Sequence, residues 1–415
     1  MMNFAFLILT TALLVGCGRL NQDPTAKLSP SVGASVHLLP KITEDIDRRG
    51  FYTEKIAETV ASDGYLNKAV EVVAYEPSAH GPYTLYSLAI QMARKGDMSA
   101  ARVIDRKAQA LAKDKGHTDS RMVMIQAAIA RSALKDDSGA ERALQAITTP
   151  YDQKEAETGV IAEKIRSGRL TTGVTTPLAT PAITEAWCDR ALQAAPSDRK
   201  QFLDNAVSNA RTTFPVQRPR LLALCAETAR TLCIQEEASR YLAEAIAASA
   251  LLSDLIEDGP IEKAKIAGIA ADFGEKDKAR DMLEKARVSS RLPASFFQPL
   301  GLVRVAEGYV KLGDRAKADE VWLEAAKNAK GHVHPNARVI NSIEIYLSHV
   351  RAGVEPSADV VAVLEAIERG EGGDGVMTIS PEIEQVRKRY IKQTTDESKK
   401  KLSTPDKSSS TGKSK

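Results

Sequence analysis

The sequence predicts an all-α chain, an α-solenoid of stacked antiparallel helix hairpins, on three observations. The first is composition: aromatic residues make up 5% and hydrophobic residues 43% of 415 residues. Ala, Leu, Glu, Lys and Arg are abundant, and runs of alternating β-branched residues that would build a sheet are hard to find. The second is a spacing of small residues, clearest in Ala267, Ala270, Gly274, Ala279, Leu283, Ala286 and again, at the same offsets, in Ala306, Tyr309, Gly313, Ala318, Trp322, Ala325. Residues three or four apart share one helix face, so the small ones let two axes approach while Leu283 or Trp322 fills the gap to the next hairpin. Gly274 and Gly313 end each first helix, where a left-handed residue satisfies the last carbonyls and reverses the chain. The third is recurrence. The offsets return at Ala226, Ala229, Cys233, Ala238, Leu242, Ala245 and at Ala191, Ala194, Asp198, Leu203, Val207, Ala210, and the turn positions 198, 233, 274, 313 and 353 step by 35, 41, 39 and 40 residues. A period of about 35–41 residues marks a repeat array.

From the N-terminus, Phe4 to Val15 is an apolar stretch too short to span a bilayer as a helix and typical of the central region of a signal peptide. It ends at Leu14, Val15, Gly16 and Cys17, which resembles the bacterial lipobox. That resemblance implies a signal peptide over residues 1–17, acylation of Cys17 and anchoring in the cell envelope. Gly18 in place of Asp favours, by the same analogy, the outer membrane of a two-membraned host. Met1 to Ala5 departs from the pattern in having no Lys or Arg. Residues 18–47, with Pro24, Pro30 and Pro40 among several Ser and Thr, predict an extended spacer.

Residues 48–170 carry N-terminal repeats at Ala57, Val60, Gly64, Ala69, Val73 and at Ala89, Met92, Gly96, Ala101, Ala108, with a weaker copy centred on Lys135 (Ala128, Ala140, Leu144, Ile147). The Thr/Pro/Gly-rich run Thr171 to Pro181 predicts a surface loop, hinge or partner-binding loop. It separates about three hairpins from five more over residues 182–393, the last of them a weaker copy at Gly353 (Tyr346, His349, Ala358, Ala362). Residues 394–415 are Ser, Thr and Lys with almost no apolar side chain, the composition of a disordered tail.

The offsets of four and three around Leu283 and Trp322, the small residue twelve before and the Gly five before resemble the tetratricopeptide repeat over roughly residues 48 to 369. The resemblance implies helix-turn-helix units stacked around a concave groove that binds a protein or peptide. It implies that the polar face of the first helices, Arg220, Glu227, Arg230, Asp272, Glu307, Lys311 and Arg351, contacts that partner, with solvated surface charges as the alternative. Steps longer than the family's usual period, and the missing or displaced inter-unit Pro, depart from its pattern.

Charge adds a second surface. Residues 387–415 hold ten basic and three acidic side chains, a net +7 in a chain of net +3, so the remainder carries −4. Such a tail suits anionic lipid head groups or acidic wall polymers, or merely solubilises; export disfavours nucleic acid.

Chemistry-bearing motifs are sparse. Besides Cys17 there are Cys188, Cys225 and Cys233, an odd number that excludes a closed disulfide framework. Cys225 and Cys233 lie about 12 Å apart along one helical segment and read as small buried hydrophobes. His332 and His334 in a loop lack further ligands for a metal site, and Gly370 to Gly375 lacks the Lys-Ser/Thr of a phosphate cradle. No nucleophile elbow or zinc-protease motif is present, so catalytic, cofactor and metal residues are all expected to be none. Two readings remain: a membrane-tethered interaction scaffold of the envelope, or an envelope enzyme or accessory domain for cell-wall or glycan processing. A pocket lined by two or more carboxylates within about 10 Å would favour the enzyme.

Overall fold

The computed structural model describes residues 28–43, 45–74, 76, 78–171, 180–252, 258–291 and 298–373, which form eighteen α-helices and no strand. A short helix α1 (Pro30–Leu38) runs into a 3-10 turn. Three hairpins follow: α2 (Ile46–Ser62) with α3 (Leu66–Ala74), α4 (His80–Arg94) with α5 (Met98–Asp114), and α6 (Arg121–Ala133) with α7 (Asp137–Gln145). Among the described residues, helix α8 (Pro150–Arg166) stands without a hairpin partner of its own. Five more hairpins complete the array: α9 (Pro181–Gln193) with α10 (Pro196–Thr212), α11 (Arg218–Thr231) with α12 (Gln235–Ala250), α13 (Asp258–Asp272) with α14 (Lys276–Ser290), α15 (Gln298–Lys311) with α16 (Arg315–Gly331), and α17 (Pro335–Ala352) with α18 (Ala358–Glu368).

The turns are written in the sequence. Gly64, Gly96, Gly274, Gly313 and Gly353 all adopt positive φ, and so do the non-glycine residues Lys135 and Cys233 at the equivalent positions. At Gly274 the amide donates to the Ala271 carbonyl at 2.9 Å and the next amide, of Glu275, to Ala270 at 3.0 Å, a C-cap that closes the helix end. The following helix is then started by an Asp side chain: Asp97, Asp136 and Asp314 accept from the amides of Ala100, Gly139 and Lys317. Asp198 is the exception. It lies inside the first turn of α10, and the chain reverses at the extended residues Ala194 and Ala195, because Pro196 opens the helix and restricts the residue before it.

The residues that define the repeats are the core. Ala267, Ala270, Ala279, Leu283, Ala286, Ala306, Ala318, Trp322 and Ala325 are fully buried, and Tyr309 nearly so. A side chain at Gly308 would strike Leu283, so this glycine sets the close approach of α15 to α14. In the last copy the register slips by two: Ala358 and Ala362 are exposed and Val360 and Leu364 are buried, since Val354–Ser357 lengthen the turn after Gly353. Cys233 is exposed at its turn and so is not one of the buried hydrophobes, whereas Cys225 is.

The stack returns to its beginning. Helices α2, α4, α6, α8, α9, α11, α13, α15 and α17 each pack on the next, and α17 meets both α2 and α1. Among the described residues of the second row, only α16 and α18 pack extensively on each other, which places that row on the wider circumference. Residues Pro30–Lys41, expected as extended spacer, are therefore corrected to helix. Ser29 caps the amide of Val32, Pro30 occupies the first turn, and Val32, Leu38, Leu39 and Ile42 are buried. Their burial against α17 and α2 overrides the weak local pattern. As a result α17 is buried on every side from Ala337 to His349. Its His349 stacks on Trp322 at 4.0 Å between ring centres, with its proton affinity pushed down to about 4 by burial, and Trp322 donates to the Ser348 hydroxyl at 2.9 Å.

The acylation motif, residues 18–27 and 44 of the spacer, residues 172–179 of the predicted loop, and the basic tail lie outside the described residues, as do all residues after 373.

Replacing Ala318 by Leu puts three extra carbons into a fully buried contact and is expected to cost about 1–3 kcal/mol. Hydrogen exchange should show protection lost in α13–α18 and kept in α4–α8, because repeats couple to their neighbours. Uniform loss across the ring would contradict this.

Candidate functional site in the inner row

The nine inner-row helices carry a continuous belt of polar contacts. At the closure, Glu344 on α17 is almost completely buried and accepts from Lys55 of α2 at 3.2 Å, Arg304 of α15 at 3.0 Å and Arg351 at 2.8 Å. Burial works to raise the affinity of this carboxyl for a proton, but Arg351, Lys55 and Arg304 outweigh it and hold the group below the ordinary range.

All the sequence-predicted contact residues lie on this belt, and most are engaged with neighbouring helices. Arg351 also reaches Glu307 of α15 at 2.8 Å, Lys311 of α15 reaches Asp272 of α13 at 2.6 Å, and Arg230 of α11 donates to the Asp272 carbonyl at 2.6 Å. Arg220 pairs with Glu185 of α9 at 3.0 Å. Glu227 makes no ion pair among the described residues; burial raises its carboxyl above the ordinary range, with Lys311 opposing and Asp272 adding to the effect. Apart from Glu227, the side chains that sequence assigned to a partner-binding face fasten one repeat to the next.

The cavities lie on the opposite arc, among α2, α4, α6, α8 and α9. One, of about 260 Å³, is lined by Glu54, Glu58, Tyr83, Ser87, Gln91, Arg94, Gln126, Glu163 and Arg166 with apolar neighbours. An adjoining one of about 780 Å³ shares Glu54, Tyr83 and Gln126 and adds Phe51, His80, Arg121, Met122, Ile125, Glu155 and Glu185. The wall carboxylates differ in kind. Glu163 is held by Arg94 and, at 2.6 Å, by Arg166, and Glu155 is paired with Arg121 at 3.2 Å. Among the described residues, Glu54 accepts only from the Ser87 hydroxyl at 2.9 Å, which itself accepts from Gln126 at 2.9 Å. Glu58, one helical turn on, has no hydrogen bond or ion pair among the described residues.

Burial and the neighbouring Glu58 push Glu54 up from 4.5 to about 7, against the opposing effects of Ser87 and Lys55. Burial likewise raises Glu58, with Arg94 and Lys55 opposing, and Tyr83 is pushed up to about 12 by burial and by these two carboxylates. The side-chain oxygen of Gln91 is buried in the same wall without a donor. The smaller cavity therefore presents two uncompensated carboxylates and a free amide oxygen beside an aromatic ring. Sequence reasoning missed this site because Glu54 and Glu58 read as ordinary surface charges of an amphipathic helix. The only local signal is that two carboxylates sit four residues apart, a spacing that repels.

No family model matches this chain, and no curated protein matches it. Among solved structures it is similar to a circular tandem repeat protein with novel repeat topology and enhanced subunit contact surfaces. The identity is 13%, covering 89% of this chain and 98% of the other, with a TM-score of 0.22.

Two substitutions test this account. Glu344→Gln strands three cations around one neutral amide and is expected to cost ~3 kcal/mol in urea unfolding at neutral pH. That difference should shrink as the pH falls below the ordinary carboxylate range, where the native glutamate is also neutral. Glu54 has the opposite sign. Its folded-state affinity is raised, so its contribution is most favourable below pH 4.5 and is lost as the pH rises through about 7. Glu54→Gln should therefore gain in melting temperature over the native chain between pH 4.5 and pH 8; a gain that shrinks over that range would show the charge to be satisfied.

Proposed function

We propose that this chain is an interaction scaffold of the bacterial cell envelope, tethered through a lipidated Cys17. On this reading a partner protein is held in the inner-row cavities through a basic side chain or amino terminus. The observation that carries the proposal is the wall formed by Glu54, Glu58 and Gln91, next to Tyr83: two carboxylates without an ion pair among the described residues, of which Glu54 accepts from the Ser87 hydroxyl, and an amide oxygen without a donor. An ammonium or guanidinium group brings the N–H donors these atoms lack and the charge that relieves their repulsion, and an aromatic face adds to its retention. Phe51, Met122 and Ile125 in the adjoining cavity suit apolar side chains flanking such a group. The helical-repeat architecture and the likeness of its spacing to the tetratricopeptide repeat support a binding role, and the Leu14–Cys17 pattern supports the tether. The basic tail would add contact to anionic lipid or wall polymer.

A second reading draws on the same carboxylates. Two glutamates on one helix turn lie well within the separation that would serve a glycan-processing enzyme, and Glu54 near 7 could exchange a proton at neutral pH. Scaffold binding is favoured because Glu54 and Glu58 share one helix face, whereas acid and base must flank a scissile bond from two sides. Glu163, across the cavity, is neutralised by two arginines.

Thermal-shift titration with lysine- and arginine-containing peptides and with neutral peptides of equal length decides between ligand classes. The basic peptides should stabilise the native chain and not Glu54→Gln/Glu58→Gln, while neutral peptides stabilise neither. Equal shifts in both chains, or release of sugar from wall glycan by the native chain alone, would overturn the scaffold assignment. Metabolic labelling with a fatty-acid analogue should mark the native chain and not Cys17→Ser; equal labelling removes the tether.

A further inference from the structure

We propose that Cys188 and Cys225 form a disulfide when the chain folds in a thiol-oxidising compartment, stapling two neighbouring inner-row helices. Cys188 lies on α9 and Cys225 on α11, helices that pack directly against one another. Their sulfurs are 3.9 Å apart, and both side chains are buried, at 2% and 0% exposure. A disulfide needs the sulfurs at about 2.05 Å, a closure that small rotations about the two Cα–Cβ bonds and modest backbone adjustment can supply. Cys233, exposed at its turn, is left as the unpaired third thiol.

The position gives the bond a structural purpose. Residues 162–266 have a hydrophobic core of their own, separate from the one that runs through the closure. This segment begins at α8, which has no hairpin partner among the described residues, so the proposed bond lies one helix beyond the break in the hairpin pattern. A link from 188 to 225 encloses the whole of α10 and fixes the α9–α10 hairpin against α11, removing freedom from the unfolded chain.

The chemistry balances as a two-electron oxidation. The two thiols give up two protons and two electrons to a disulfide oxidant, oxidised glutathione in a test tube or a protein disulfide in an exporting cell. One cysteine thiolate first attacks the oxidant's disulfide to give a mixed disulfide, and the second then displaces the carrier thiol. Both cysteines are sealed in the folded chain, so the bond forms during folding, while they are still accessible.

The test is refolding of the reduced, full-length chain in a glutathione redox buffer, followed by alkylation in denaturant and peptide mass spectrometry. The expected product is a reductant-sensitive linked peptide carrying Cys188 and Cys225, with Cys233 alkylated. Adding reductant should lower the melting temperature of the native chain and of Cys233→Ser by several degrees, and leave that of Cys225→Ala unchanged. Full alkylation of Cys188 and Cys225 after oxidative refolding, or pairing of either with Cys233, would overturn the proposal. Because the refolding is done in vitro, its outcome is independent of the envelope tether and of what the cavities bind.

Discussion

The structure turns on one buried carboxylate. A solenoid is held by contacts between neighbours and would by itself stay open, its end faces wet. Here Glu344 draws cations from three inner helices to one point, joining the last hairpin to the first. A charge so deeply buried is costly unless it is both paired and hydrogen-bonded, and Glu344 is paired three times. Helix α1 completes the join by covering the apolar face that α17 would otherwise expose. Closure also fixes α2, and with it the wall of the cavities, because Lys55 is bound to Glu344 while Glu54 and Glu58 line the space nearby.

The belt explains why charge on the concave side is an ambiguous signal. In an open groove, Arg220, Lys311 and Arg351 would be available to a ligand. In the closed array each is already matched to a carboxylate on another helix, and a ligand would have to replace that partner at little net gain. A cation would gain more where the matching fails. On the cavity arc Glu163 takes two arginines, while Glu54 and Glu58 are left to repel each other. The site is thus defined by the cation that is missing from it, a property of three-dimensional pairing.

That difference sets what the sequence reveals. Hairpins, turns and core positions were legible because each is encoded within a few residues: Gly313 needs a left-handed φ, Asp314 caps the next helix, and Trp322 needs small neighbours at fixed offsets. Where the chain departs from the expectation, a local feature is overridden. Pro196 shifts a turn by a few residues, and Val354–Ser357 move a register by two. Closure was illegible because α1 is short and has little helical pattern of its own, and its helix is stabilised by contact with α17, more than three hundred residues away. The candidate site was illegible for the same reason, since no spacing in the sequence says which carboxylates will meet an arginine.

The irregular junction at α8 and α9 ties these features together. Elsewhere each inner helix is backed by its own outer helix, which completes its packing; at α8 there is none among the described residues, and two inner helices follow in succession. Both cavities touch this junction, through Gly159, Ala162 and Glu163 on one side and Ala182 and Glu185 on the other. Repeats that pack ideally leave little room between their first helices, so the cavity arises where the repeat is broken. Such a break weakens the array, and the features beside it offset the loss: Arg166, which also holds Glu163 on its own helix, reaches Glu185 and Asp189 across the junction, and a sulfur pair lies one helix further on. The regular repeats therefore supply a rigid frame, and the cavities open where, among the described residues, that regularity is suspended.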